Sequence, residues 1–108
     1  MTCVSFTSYR EAQLFECVGH TGYGAAGGDI LCSAVSCLCY TLDAYLKGAY
    51  ERGLIKNYIS DFSPGLVQMR FEYNEEKESL LTKEGIYAVL CGFRLLCESF
   101  PDYIDADI

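Results

Sequence analysis

Residues 30–49 read ILCSAVSCLCYTLDAYLKGA, and their apolar side chains recur every three or four positions. This spacing places eight of them in one stripe along an α-helix, namely Leu31, Ala34, Val35, Leu38, Leu42, Tyr45, Leu46 and Ala49. Asp29 is a preferred N-cap residue, and Gly53 suits the left-handed position that closes a helix. The pattern therefore predicts an amphipathic helix that begins near Ile30 and ends by Gly53.

Two segments before this helix have the alternating pattern of β-strands. Residues 3–8 place Val4 and Phe6 on one face, and residues 14–18 alternate more weakly. The polar break at residues 9–11 indicates that the two strands form a hairpin. A glycine-rich stretch, residues 19–28, separates this hairpin from the helix and holds half of the ten glycines.

A second hairpin and a second helix are expected after the first helix. Residues 55–62 and 66–73 are rich in β-branched and aromatic residues, and Ser63-Pro64-Gly65 between them is a turn signal. A further apolar stripe at helical spacing runs from Ile86 to Phe100 and stops at Pro101. The element order is ββαββα. We expect one α+β domain over residues 1–108, with a mostly antiparallel sheet and two long helices packed against it.

The charge of the chain excludes some classes of function. With 15 acidic and 8 basic residues, the formal net charge is −7, whereas a nucleic-acid-binding domain needs a basic face. Residues 72–108 carry 9 acids and 3 bases, which predicts a solvated helix face and an acidic tail. The first ten residues do not resemble a signal peptide, and the longest apolar run is too short to span a membrane. We therefore expect a cytoplasmic protein with reduced thiols.

Cys32 is the cysteine best placed to react. It is the third residue of the predicted helix, where unpaired backbone N–H groups and the positive end of the helix dipole both favour the thiolate. The Asp29 side chain, bonded to the Cys32 N–H, would fix the geometry of the first turn. The alternative is a buried, inert thiol at a helix start.

His20 is the single histidine, and it follows the second strand where the glycine-rich loop begins. A lone histidine is commonly structural, but a Cys–His pair is the minimum set for nucleophilic acyl transfer. No C-x-x-C pair is present to build a zinc site, and the glycine-rich loop lacks a Walker lysine. We therefore expect no metal and no cofactor.

Residues 19–36, GHTGYGAAGGDILCSAVS, resemble the signature of the ribosomal-processing cysteine proteases, the Prp family. That signature is G-H-A, a glycine-containing loop, and then G-x-D-I-V-C-A-x-V-S. The spacing from histidine to cysteine fits without a gap. Thr21, Leu31 and Ser33 depart from the signature, and none of these changes removes a reactive group. The Phe-Pro-Asp-Tyr segment at residues 100–103 is also similar to the family.

The resemblance implies a small bacterial homodimer that trims the N-terminal extension of a large-subunit ribosomal protein precursor next to adjacent aromatic residues. Carried over by position, Cys32 is the nucleophile and His20 the general base and acid. Asp29 and Ser36 match signature positions whose roles stay open. The Ser36 hydroxyl either reaches the same site or bonds back to a helix carbonyl.

The glycine-rich loop is also expected to take part in catalysis. Residues 21–28, with Gly22, Tyr23, Gly24, Gly27 and Gly28, are predicted to be mobile and to close over the peptide. Backbone N–H groups at the helix start are expected to hold the oxyanion. Tyr23 and aromatic residues of the third and fourth strands are candidates for an apolar substrate cleft.

Two other interpretations remain. One is a non-catalytic acidic binding module, associated with the ribosome or another basic partner, which would need neither His20 nor Cys32. The other is a redox switch at Cys32, which needs a resolving cysteine; Cys37 lies on a different face of the predicted helix. Neither interpretation involves a nucleic acid or a membrane.

Overall fold

The computed structural model describes residues 1–25 and 29–108 of the chain. Its strands and helices, in chain order, are β1 (Thr2–Tyr9), β2 (Ala12–Val18), α1 (Ile30–Glu51), β3 (Ile55–Ser63), β4 (Leu66–Tyr73), α2 (Glu76–Ser99) and β5 (Ile104–Asp107). The predicted α+β class, the ββαββα order and the mostly antiparallel sheet are confirmed. The C-cap Arg52 and Gly53, which has φ +76°, close α1 where the sequence indicates.

The five strands form one sheet in the order β3-β4-β2-β1-β5. Both hairpins are antiparallel, and β2 joins them by pairing antiparallel with β4. Only β5 runs parallel to its neighbour, β1, with Thr2 opposite Ile104. The junction of β2 and β4 brings the start of the glycine-rich loop, which follows β2, beside the β3–β4 turn.

Both helices pack on one face of the sheet and against each other. The register pairs Val4 with Cys17 and Phe15 with Met69, so these side chains lie on the same face, and all four are buried. The Phe15 ring lies 5.4 Å from the ring of Phe93 on α2. From α1, the fully buried residues Leu42 and Leu46 complete the core.

The C-terminal segment differs from the acidic tail predicted by its charge. Residues 104–107 form β5, and Ile104 is fully buried in the core while Asp105 and Asp107 are exposed. A four-residue strand is too short for a clear alternating pattern.

The second helix also differs from its prediction. α2 begins at Glu76, ten residues before the apolar stripe that predicted it.

α1 is long and apolar enough, by length and composition alone, to be tested as a membrane span. It has 22 residues, and an 18-residue window has a mean hydropathy of 1.3. The buried residues Leu42, Leu46 and Ala49 of this helix lie in the core of the domain. Packing in the core therefore accounts for the buried apolar residues of α1.

Candidate active site

The Asp29 carboxylate connects the start of α1 to the loop that follows His20. Its Oδ1 accepts the N–H of Cys32 at 2.8 Å, which caps the helix. Its Oδ2 accepts the Thr21 hydroxyl at 2.7 Å and the N–H groups of Tyr23 and Gly24 at 3.1 and 3.2 Å. The hydrogen bonds from Cys32 and then from Thr21 hold the pKa of Asp29 below its ordinary value. One ionised carboxylate thus organises both segments that carry the candidate catalytic residues.

His20 lies at the end of β2, next to the turn between β3 and β4. The N–H of Gly19 donates to the carbonyl of Gly65 in that turn at 2.8 Å. The imidazole ring itself is exposed and lies against Gly65. The position of the histidine is therefore set by a segment about 45 residues away in the chain.

His20 and Cys32 line the same cleft, which has a volume of about 400 Å³. Its floor includes residues of α1 spaced at one helical turn, Cys32, Ser36 and Cys39, and its wall includes the β3–β4 turn. A second recess of about 660 Å³ shares His20, Cys32 and Ser36 and continues along the loop side, past Asp29. The two residues predicted from the sequence thus both line two open recesses.

One wall of the cleft is aromatic. The ring of Tyr40 on α1 stacks on the ring of Phe62 at the end of β3, with centroids 4.8 Å apart and an angle of 14° between the planes. Pro64, Leu66 and Val67 extend this apolar surface. Sequence reasoning singled out aromatic residues of the third and fourth strands, and it missed Tyr40 because the helical stripe places that residue off the core face.

Tyr23, the other aromatic candidate, packs elsewhere. Its ring makes edge contacts with Phe100 and Tyr103, with centroids 5.4 and 5.2 Å apart, and it lines neither recess. Gly22 and Gly24 belong to the described part of the loop, and Gly22 has φ +68°. Gly27 and Gly28 lie outside the described residues. The mobility of residues 21–28 stays a prediction.

Ser36 faces the candidate site, since it lines both recesses. The serine hydroxyl that bonds back to a backbone carbonyl in this turn is that of Ser33, which donates to the Asp29 carbonyl at 3.2 Å.

Two backbone N–H groups of the first turn of α1 already have hydrogen-bond acceptors. The N–H groups of Cys32 and Ser33 donate to the side chain and carbonyl of Asp29. An oxyanion at this site therefore requires other donors than these two amides.

A pair of buried cysteines lies at the base of the cleft, which the sequence did not reveal. Cys17 of β2 and Cys39 of α1 are both buried, and both line the cleft. The neighbouring Cys17 thiol, followed by burial, raises the pKa of the Cys39 thiol above its ordinary value. Within residues 1–25 and 29–108, no three His, Cys, Asp or Glu side chains are grouped to hold a metal ion.

A thiol at a helix start and an imidazole in one cleft, on an α+β fold, are the residue types that a cysteine peptidase uses. The model of the cysteine protease Prp family matches residues 1–105, and the chain belongs to this family. No curated protein sequence matches the chain at a significant level.

Solved structures show the same fold. The essential ribosomal processing protease Prp from S. aureus, with a covalently linked product peptide, aligns with a TM-score of 0.72 and 18% identity, covering 98% of this chain and 97% of that one. The same protease with a substrate peptide aligns at 0.65 and 14% identity, over 99% and 98% of the two chains. SMU.848 from Streptococcus mutans aligns at 0.67 and 26% identity, over 98% and 91%.

Proposed function

We propose that this protein is an endopeptidase that removes the N-terminal extension of a ribosomal protein precursor, with Cys32 as nucleophile and His20 as general base and acid. The observation that carries the proposal is that both side chains line one open cleft in a chain of the Prp family. The cleft has room for an extended peptide, because the second recess continues from it past Asp29.

In this mechanism His20 takes the proton of the Cys32 thiol, the thiolate attacks the scissile carbonyl carbon, and the carbonyl π electrons move to the oxygen. His20 then protonates the leaving amine as the C–N bond breaks, which leaves an acyl-enzyme. Water, deprotonated by His20, attacks the thioester and releases the acid and the thiol. The oxyanion takes donors other than the amides of Cys32 and Ser33, since Asp29 occupies both.

Asp29 and Ser36 have supporting roles in this proposal. Asp29 holds residues 21–24 against the helix start through its Oδ2, so it sets the path of the chain directly after His20. Ser36 lies one helical turn after Cys32 and lines the cleft, where its hydroxyl would contact the peptide.

Substrate recognition combines charge and an apolar surface. The net charge of −7 attracts a basic ribosomal protein precursor and speeds encounter at low salt. The stacked rings of Tyr40 and Phe62 receive aromatic side chains next to the cleavage site. The S. aureus protease has been crystallised with a substrate peptide, and this chain is proposed to bind a substrate peptide in its own cleft.

The proposal also includes a cytoplasmic, bacterial homodimer. The open face of the sheet supports association, because it carries exposed apolar side chains such as Val18 and Ile59 among polar ones. Sedimentation of the purified protein at micromolar concentration measures the oligomeric state. A monomer at all concentrations would contradict the homodimer, and the assignment of Cys32 and His20 as catalytic residues would not be affected.

The deciding experiment incubates the protein with a peptide that carries the extension of the ribosomal protein and detects fragments by mass spectrometry. Two fragments from the wild type and none from Cys32→Ala support the proposal. Binding without cleavage by the wild type would instead support the acidic binding module. Ser33→Ala is a matched control, because Ser33 neighbours Cys32 but its hydroxyl bonds to a backbone carbonyl.

A further inference from the structure

The turn between β3 and β4, residues 64 and 65, lies directly beside the candidate histidine. The carbonyl of Gly65 accepts the N–H of Gly19 at 2.8 Å, so the turn is bonded to the residue that precedes His20. Both turn residues line the cleft that contains Cys32. The turn is therefore part of the site, although it is distant from both candidate catalytic residues in the chain.

The imidazole of His20 occupies the space that a side chain at position 65 would need. A Cβ atom on Gly65 would lie 2.9 Å from Nε2 and 3.4 Å from Cε1 of His20. A separation under 3.0 Å is shorter than real Cβ contacts allow. The ring can take its observed position only because residue 65 has no side chain.

The backbone conformation of the turn favours glycine at position 65, because Gly65 has φ +74°, which L side chains rarely adopt. The same is true of Gly53, so backbone conformation does not distinguish the two positions. Gly53 has φ +76°, and no described atom lies within 4 Å of the place where its Cβ would be. The contact with His20 is what distinguishes Gly65 from Gly53.

We propose that Gly65 is a positioning residue for His20. Its missing side chain sets where the imidazole lies relative to Cys32, and its carbonyl fixes the backbone beside the histidine. A Cβ at this position would displace the exposed ring rather than the turn, because the turn is held by the hydrogen bond to Gly19. This inference rests on the proposed role of His20 in proton transfer, where a displacement of about 1 Å costs roughly a hundredfold in rate.

The test compares Gly65→Ala with Gly53→Ala. Both substitutions place a Cβ at nearly the same positive φ, but only the first meets the imidazole. Gly65→Asn is a second variant, because asparagine tolerates positive φ better than alanine and still carries a Cβ. The chain has one histidine, so its ring-proton NMR signals report on His20 without ambiguity. The kcat and KM for the extension peptide are measured over a range of pH.

We expect Gly65→Ala and Gly65→Asn to lower kcat at least about tenfold with KM nearly unchanged, and to shift the His20 ring signals and the pH profile. Gly53→Ala should change thermal stability only. Wild-type ring signals and kcat in both Gly65 variants would overturn the positioning role. If the wild type cleaves nothing, the proposed function fails, while the ring signals still decide whether Gly65 positions the imidazole.

Discussion

The two halves of α1 share one helix and one apolar stripe, but they have different neighbours. The first half, Ile30–Tyr40, presents Cys32 and Ser36 to an open cleft, and its capping carboxylate binds mostly loop groups. The second half, Thr41–Glu51, packs into the core. We call them the cleft half and the packing half. The same helical periodicity thus serves chemistry at one end of α1 and stability at the other.

The hydrogen-bond partners of two aspartates differ between the two halves. Asp29 binds two backbone amides and a hydroxyl of the loop in addition to the Cys32 N–H. Asp43, buried in the packing half, accepts the Tyr58 hydroxyl of β3 at 2.6 Å and pairs with Lys47 at 3.0 Å. The first carboxylate shapes a loop at the site, and the second fixes the helix to the sheet.

The largest expected effect comes from one substitution in each half of α1: the substitution in the cleft half should remove activity, and the one in the packing half should lower stability. Cys32→Ala should lower kcat/KM by about 10³-fold or more, because no other group replaces the nucleophile. Leu46→Ala in the packing half should instead lower the free energy of unfolding by about 2–5 kcal/mol, because it leaves a cavity in the core. Peptide cleavage and urea unfolding measure the two quantities. Substantial cleavage by Cys32→Ala would contradict the assignment of the nucleophile.

Alkylation compares cysteines along the cleft half itself. Limiting iodoacetamide at neutral pH should label Cys32 first, because the proposed base His20 lines the same cleft and can take its proton. Cys39 should react much more slowly, because it is buried and because the neighbouring Cys17 and burial raise the pKa of its thiol. Peptide mapping gives the order. Labelling of exposed Cys37 before Cys32 would show that exposure, not a base in the cleft, controls reactivity.

Exchanging each aspartate for asparagine tests their different roles. Asp29→Asn keeps one oxygen to cap α1 but loses an acceptor for the loop, so kcat/KM should fall about tenfold or more while the fold persists. Asp43→Asn still accepts the Tyr58 hydroxyl and loses only the charge that pairs with exposed Lys47, which is worth up to about 1 kcal/mol of stability. Its kcat/KM should not change. Equal losses of kcat/KM in both variants would show that Asp29 has no role in the site that Asp43 lacks.

Two exposed tyrosines of α1 provide a matched pair for substrate recognition. Tyr40, in the cleft half, is 61% exposed and stacks on Phe62, whereas Tyr50, in the packing half, is 54% exposed and lines neither recess. Tyr40→Ala should lower kcat/KM by roughly tenfold, since an aromatic contact is worth about 1.4 kcal/mol or more. Tyr50→Ala should have no such effect. A peptide with its aromatic pair replaced by alanine should lose the difference between wild type and Tyr40→Ala.

The smallest expected effect is the dependence of stability on pH. The pKa of Asp29 is lowered, first by the hydrogen bond from Cys32. The pKa of Asp43 is also lowered. Burial alone would raise it, but the hydrogen bonds from Tyr58 and Lys47 outweigh the effect of burial. Both folded-state values lie below the unfolded value of about 3.9. The stability they contribute is therefore fully present well above pH 4 and is lost as the pH falls through the folded values.

Urea unfolding between pH 3 and pH 7, roughly the range that brackets these carboxyl groups, checks this sign. The wild type should lose more stability on acidification than either the Asp29→Asn or the Asp43→Asn variant. A variant as acid-sensitive as the wild type would show that its carboxylate contributes nothing to the pH dependence.

The sequence alone determined the local structure. Alternation and turn residues located β1 to β4, the apolar stripe located α1, and Asp29 marked the cap that places Cys32 in the first turn. These features depend on residues a few positions apart, so their physics is contained in short segments. The same local signal identified Cys32 and His20 as candidates, because the motif of residues 19–36 lies within one loop and one helix start.

Only the tertiary structure decided which distant segments complete the site. β5 is four residues long and pairs in parallel with β1, nearly a hundred residues earlier in the chain, so its pattern is too short to read. The wall of the cleft comes from Phe62 and the turn at Gly65, and its base from the thiols of Cys17 and Cys39. These contacts follow from the strand order β3-β4-β2-β1-β5, and strand order is set by packing of the whole sheet rather than by any local pattern.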